Sequence, residues 1–268
     1  LGCGGINPQP ASPANFPATR RNLAAKLAEL VAKEHAMGRL SLTAAIAAVL
    51  MTAAPARADD AAHPTVVELF QSQGCSSCPP ANANVFAIAD RPEVIALTFS
   101  VTYWDNLGWK DTFATPQYTQ RQWAYAHALG HPNVFTPQVV INGRIDGDGI
   151  NPAAFQGLLH QGGRPAPGPA IQIGGGGVAI GSGPSPARPA DVWLVRYDPR
   201  VIQVPIRRGE NGGKTLPHKN IVKAMVRLGA WRGAAERFAL APPADPALRT
   251  AILVQAAGAG PILAAAKG

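Results

Sequence analysis

The sequence predicts an α/β protein: a mixed β-sheet built in the order βαβαββα, followed by a small, mostly antiparallel β domain. Three observations predict it. Residues 65–161 alternate apolar, strand-like runs with one-sided helical segments. Asn142-Gly143 joins two short runs with the strongest two-residue hairpin signal. From Ala170 onward, apolar and polar residues alternate with a period of two between glycine-rich turns. The chain divides accordingly into an N-terminal extension with a secretion signal (residues 1–58), a first domain (62–163) and a β-rich domain (169–268).

The first strand is Thr65–Phe70. A helix follows from Pro79 or Pro80, since first-turn amides lack intrahelical partners and proline sacrifices nothing there. Ala81, Val85, Ile88 and Ala89 form its apolar face, and Arg91-Pro92 stops it. Val94–Val101 is apolar enough to be a strand buried on both faces. Tyr103–Ala114 is a loop rich in Trp, Asp and Gly. Thr115-Pro116 caps a second helix that ends at Gly130. Gln138–Ile141 is a third strand, Arg144–Asp146 a fourth, and Asn151-Pro152 opens a last helix with Phe155, Leu158 and Leu159 inward. A βαβ unit demands parallel strands with a right-handed crossover, while the Asn-Gly turn demands an antiparallel pair. The sheet is therefore mixed, with helices on both faces.

Residues 162–170 read as a Gly/Pro-rich linker. Beyond it, Ile171/Ile173, Val178/Ile180, Val192/Leu194 and Val222/Ala224/Val226/Leu228 alternate as half-buried strands, and Ala251–Ala256 and Pro261–Ala265 close the set. The expectation is a sandwich-like domain packed against the first.

The 268-residue chain carries a formal net charge of +8. Residues 1–58 hold six Lys/Arg and two acidic residues, which leaves +4 for the remainder. No basic run is interleaved with aromatics, so nucleic acid is not an expected partner. The chain opens on Leu1, and Met37-Gly38-Arg39 reads as the true start of a signal peptide. An uncharged apolar stretch from Leu40 to Ala54 follows, then the small-x-small pattern Ala56-Arg57-Ala58. That stretch falls short of the ~20 residues a membrane span needs. The expected product is periplasmic or secreted, with no stable membrane span after cleavage. Cleavage there removes Cys3 and leaves Cys75 and Cys78, an even count suited to an oxidising compartment.

Cys75-Ser76-Ser77-Cys78 lies between the first strand and the first helix. Two cysteines at this spacing can close a small disulfide ring, and helix N-terminal amides stabilise a thiolate. Thiol–disulfide exchange is the leading chemistry, with Cys75 as the exposed attacking sulfur and Cys78 as the deeper resolving thiol. A permanent structural disulfide in a scaffold or binding protein, and a Cys-x-x-Cys metal carrier, remain as alternatives. No cofactor and no dedicated metal site are expected.

The element order, with Cys-x-x-Cys after the first strand, resembles the thioredoxin fold. Thr136-Pro137 before the third strand resembles that superfamily's cis-proline, which implies that Thr136 and Pro137 face the cysteines and shape substrate contact. The strings Val67–Pro80, Tyr103-Trp104-Asp105, Gly108-Trp109-Lys110-Asp111, Thr136-Pro137-Gln138 and Arg208–Gly213 are similar to a bacterial secreted family catalogued as domain of unknown function 1223. The resemblance covers residues 64–265. It implies export and a thioredoxin-like domain, and it names no reaction.

Other residues complete the expected site. Glu68 sits on an apolar strand, where a buried carboxylate near Cys78 could relay its proton; bonding to backbone or lysine is the alternative. Tyr103, Trp104, Asp105 and Trp109 lie at the same sheet end as Cys75 and could line a substrate groove, unless the loop is simply pinned by its own tryptophans. His127 and His131 have ligand spacing without a further donor. Arg208–Lys214 and His218-Lys219-Asn220 form a polar loop that reads as a hairpin end, able to dock on the first domain or bind an anion. Its glycine spacing is not that of a phosphate-binding loop. The expected partners are a protein or small-molecule thiol or disulfide and a redox partner protein.

Overall fold

The computed structural model describes residues 63–163 and 168–268. The signal peptide read at residues 37–58, the extension before it and Cys3 lie outside them. Strand β1 (Thr65–Gln71) is buried along its whole length. It runs parallel to β2 (Val94–Ser100) and antiparallel to β3 (Gln138–Ile141), so it is an interior strand paired on both sides. Its side chains alternate between faces. Val67 and Leu69 pack with Ala81 and Val85 of helix α1 (Cys78–Phe86) and Phe155 of α3 (Pro152–Gln161). Val66 and Phe70 pack with Tyr118 and Tyr125 of α2 (Pro116–Leu129) on the opposite face.

The termini form where local chemistry places them. The Thr115 hydroxyl accepts from the Tyr118 amide, and α2 ends at Gly130 with φ of 79°. Asn151 Oδ1 accepts from the Ala153 and Ala154 amides at 2.9 and 3.0 Å, opening α3. Asn142 and Gly143 have φ of 50° and 63°, as a type I′ turn requires, and lead into β4 (Ile145–Gly147). A Cβ on Gly143 would stand 2.6 Å from the Gly260 carbonyl oxygen, so glycine is needed there twice over.

The second half departs from the expected separate domain. Strands β7 (Ala190–Asp198), β10 (Ile221–Trp231), β12 (Arg249–Gln255) and β13 (Ile262–Lys267) extend the same sheet, giving the order β13-β12-β7-β10-β2-β1-β3-β4. The seam is short: β10 meets β2 in parallel at Ile221 and Thr98. Thr98 donates its amide to the Asn220 carbonyl (2.9 Å) and its hydroxyl to that of Lys219 (2.8 Å), while Asn220 Nδ2 donates to the Ala96 carbonyl (2.9 Å). The physical reason is the free edge of β2, whose unpaired amides and carbonyls are satisfied by another strand.

A three-stranded sheet, β5 (Ile171–Gly174), β6 (Gly177–Ile180) and β11 (Glu236–Ala239), packs Val178, Ile180 and Phe238 onto Val192, Leu194, Ile252 and Val254 of the large sheet. The sandwich-like packing is thus local to one part of one continuous sheet. Register shifts after Val222 and Arg227 break the expected alternation in β10 and turn Val226 outward. Strands β8 (Ile202–Pro205) and β9 (Thr215–His218) form a two-stranded hairpin of their own, outside both sheets.

Candidate functional site

The end of β1 and the start of α1 set the site. Cys75 and Cys78 are joined in a disulfide, with their Cα atoms 5.4 Å apart. Ser77 is the N-cap residue of α1 and Cys78 its first residue. Cys75 Sγ lies 3.3 Å from the Ser77 hydroxyl. The turn is held from within: the Cys75 amide donates to the Ser72 carbonyl (3.1 Å) and the Cys78 amide to the Cys75 carbonyl (3.2 Å).

Both cysteines are buried, at 0% and 1% exposure, whereas Ser76 and Ser77 are exposed. The expected exposed Cys75 is therefore corrected. The tip of the β8–β9 hairpin, 136 residues on, docks on this turn. Asn211 Nδ2 donates to the Gln73 carbonyl (2.9 Å) and the Cys75 carbonyl (2.8 Å), and Glu210 Oε2 accepts from the Ser76 amide (3.0 Å). Bonds from the Ser76 side chain and backbone hold the Glu210 carboxyl below its ordinary value. The polar loop of Arg208–Lys214 is both a hairpin end and a docked element.

The aromatic loop also reaches this end of the sheet. Trp104 packs over Gly74, where a Cβ would lie 3.8 Å from the Trp104 Cβ, and its Nε1 donates to Thr136 Oγ1 at 2.7 Å. The Thr136–Pro137 peptide bond is cis. Trp109 Nε1 donates to Gln73 Oε1 at 2.9 Å, and Trp109 also packs against Gly209 of the hairpin tip. Tyr103 is half-buried; its hydroxyl makes no bond within 3.5 Å among the described residues and lies near Thr136 and Gln122. Burial pushes its phenol up, and those two side chains offset this in part. Asp105 Oδ1 accepts from the Asp111 amide at 3.0 Å. Trp104 and Trp109 thus contact Gly74 and Gln73, Thr136 is bonded to Trp104, and Asp105 serves the loop itself.

Glu68 is not brought to Cys78. Alternation along β1 turns it to the α2 face, while α1 and Cys78 pack on the other. There it forms a buried ion pair with Arg121: Nε to Oε1 at 2.7 Å and Nη2 to Oε2 at 2.9 Å. The Tyr125 hydroxyl donates to Glu68 Oε2, and Gln255 Oε1 accepts from the guanidinium at 3.2 Å. Burial raises the Tyr125 phenol well above its ordinary value, keeping it a neutral donor. Of the two histidines, His131 pairs with Asp146 (2.9 Å) and the His127 ring lies tilted against Trp123, 5.8 Å between centres. Among the described residues, no three His, Cys, Asp or Glu side chains converge on a point that could hold a metal.

Asp111 is a second carboxylate, beside Glu210, that touches the site. Its Oδ2 accepts from the Gln73 amide (2.7 Å) and its Oδ1 from the Phe113 amide (2.8 Å). Burial pushes it up to about 6, against the opposing effect of those bonds. Nearby, His218 is fully buried against Phe113, and neither ring nitrogen has a hydrogen-bond partner among the described residues. Burial lowers it to about 4.

The two groups oppose each other in pH. Folded Asp111 holds its proton more tightly than the unfolded chain, so it adds stability as pH falls from about 6 toward 3.8. Folded His218 holds its proton less tightly, so stability is lost as pH falls from 6.5 toward about 4. Each contribution reaches at most about 3 kcal/mol, and they nearly cancel. We expect Asp111→Asn to lose stability steeply between about pH 6.5 and 4, and His218→Leu to gain it. Urea unfolding across that range checks both; parallel curves for wild type and variants would refute the assignment.

A family model described as "Protein of unknown function (DUF1223)" matches residues 66–255. The chain belongs to this family. Among solved structures, protein AGR_C_4864 from Agrobacterium tumefaciens is similar at 31% identity and a TM-score of 0.62, covering 76% of this chain and 92% of that one. HBP35 of Porphyromonas gingivalis aligns at 12% identity and a TM-score of 0.47, covering 77% of this chain and 74% of that one. No curated protein matches. The family match spans β1 through the end of β12, so it includes both the Cys75–Cys78 turn and the hairpin that docks on it.

Sequence reasoning left three contributors without roles. Asn211 lies in a loop that reads as able to dock on the first domain, but nothing local shows that its side chain bonds Cys75. Arg121 did carry a signal: Tyr118, Arg121 and Tyr125 share a helical stripe, which turns the arginine inward. Asp111 had only its place in a Trp-rich loop.

Proposed function

We propose that this protein is an exported thiol–disulfide oxidoreductase built on a thioredoxin-like module, acting on protein or small-molecule disulfides and thiols. The carrying observation is Cys75 Sγ just before the N-terminus of α1, within 3.3 Å of the Ser77 hydroxyl. Helix-end amides and a hydroxyl donor both favour a thiolate over a thiol. The order β1-α1-β2-α2-β3-β4-α3 and the local strand order β2-β1-β3-β4 support the thioredoxin-like reading. Export rests on residues 37–58 and on the pair of cysteines, Cys75 and Cys78, that follows them.

Exchange proceeds in two displacements. With the pair reduced, the Cys75 thiolate attacks a substrate disulfide, and one substrate sulfur leaves as thiolate. Cys78 then attacks Cys75, restores the internal disulfide and releases the second substrate thiolate, so two electrons pass to the substrate. The reverse sequence oxidises a dithiol.

A second reading, a structural staple, is favoured by the complete burial of Cys75. Against it stands the ring size. The cysteines are three residues apart, and a ring that short removes about 2 kcal/mol of chain entropy, near the bottom of what disulfides deliver. Cys78→Ala discriminates between the readings. We expect it to accumulate Cys75-linked mixed disulfides, seen as adducts removed by reductant. A variant that folds and traps neither a protein nor a low-molecular-weight disulfide would support the staple.

A further inference from the structure

We propose that the β8–β9 hairpin is a latch: its tip, Arg208–Lys214, closes over Cys75, and exchange requires the tip to lift. This rests on the exchange reading above. Ser76 and Ser77 are open to solvent while Cys75 between them and β1 is fully buried. Burial thus runs from Gln71 through Cys75 and breaks off at Ser76, and the hairpin tip bonds the backbone of Gln73, Cys75 and Ser76 along that boundary.

The tip is built to hold that position. Asn211 is itself fully buried and uses its amide to bond the Gln73 and Cys75 carbonyls at 2.9 and 2.8 Å. Its Oδ1 accepts from Lys214 Nζ at 3.0 Å, which orients the amide. Glu210 Oε2 grips the Ser76 amide at 3.0 Å, at the positive end of α1. Gly209, with φ of 74°, lets the tip backbone turn against Trp109, where a Cβ would sit 3.3 Å from the Trp109 Cβ.

The tip is also built to leave. Strands β8 and β9 pair only with each other, outside both larger sheets. Lifting the tip breaks side-chain bonds at the turn and no rung of the main sheet. A thiolate must approach a disulfide sulfur directly, and a buried Cys75 offers it no path. Once the tip lifts, an incoming substrate thiolate attacks Cys75 Sγ, Cys78 departs as thiolate, and a Cys75–substrate disulfide forms. A second substrate thiolate then releases Cys75, leaving the substrate oxidised and both protein cysteines reduced. Asn211 and Glu210 are positioning residues that set how often this begins.

The test is the rate of Cys75–Cys78 reduction by dithiothreitol under native conditions, read by quenching with an alkylating agent. It compares wild type, Asn211→Ala and the milder Glu210→Gln, with unfolding midpoints measured in parallel. Loss of two hydrogen bonds is expected to speed reduction in Asn211→Ala about 10-fold. Glu210→Gln, which keeps its fold because the residue is exposed, is expected to show a smaller gain. In wild type, the rate is expected to level off at high dithiothreitol, where opening becomes limiting. Equal rates in all three proteins, or a wild-type rate matching that of an unstructured Cys-Ser-Ser-Cys peptide, would overturn the latch. Faster reduction without mixed disulfides in Cys78→Ala would retain the latch and remove the exchange reading. Mixed disulfides with equal reduction rates would do the opposite.

Discussion

Arg121→Met is expected to destabilise the protein by about 3–5 kcal/mol in urea unfolding, because it leaves the Glu68 carboxylate buried and uncompensated. Glu68 has no exposed surface, and Arg121 supplies a two-pronged contact at 2.7 and 2.9 Å. Tyr125 and Gln255 occupy the remaining bonding positions, so removing the guanidinium strands several polar groups together. The guanidinium also lies 5.0 Å from the Tyr125 ring centre and 5.7 Å from that of Phe99, so part of the loss is packing. The double change Glu68→Leu with Arg121→Met is expected to recover most of the stability, since replacing a whole buried pair with apolar groups is often neutral or better. A single variant losing less than about 1 kcal/mol would contradict this account of the network. The same geometry separates the pair from redox chemistry: Glu68→Gln is expected to leave the pH profile of Cys75 reactivity unchanged.

The network shows where sequence reading reaches its limit. Glu68 on an apolar strand is visibly inward, and the Asn142-Gly143 turn, Pro116 and Pro152 announce their elements because each is a local backbone demand. The choice of face for Glu68 follows from alternation, but its partner comes from a helix 53 residues later. Likewise, β10 reads as an ordinary half-buried strand. Only the free edge of β2 explains why it joins the first sheet, and an unpaired edge leaves no mark in the composition of either strand. The Cys75–Cys78 turn was legible because ring closure and helix N-termini are short-range physics. Its cover was not, since Asn211 acts through two backbone carbonyls 136 and 138 residues away, and carbonyls carry no sequence signature.

The second large effect concerns the disulfide itself. Its short ring contributes little chain entropy, and on the exchange reading the start of α1 and the Ser77 hydroxyl are expected to stabilise the reduced thiolate form. Both raise the reduction potential relative to a structural bridge. No histidine or lysine lies between the cysteines to push the thiolate further, so an extreme oxidant is not expected. The latch alters how fast the pair equilibrates and leaves most of this balance to the turn.

The most direct test of the exchange reading is the reduction potential of Cys75–Cys78 in the purified protein, taken by alkylation across glutathione and dithiothreitol series allowed to reach equilibrium. A value between about −120 and −270 mV is expected, within the range of working exchange proteins. A value below about −300 mV would mark the bridge as structural and contradict the proposed function.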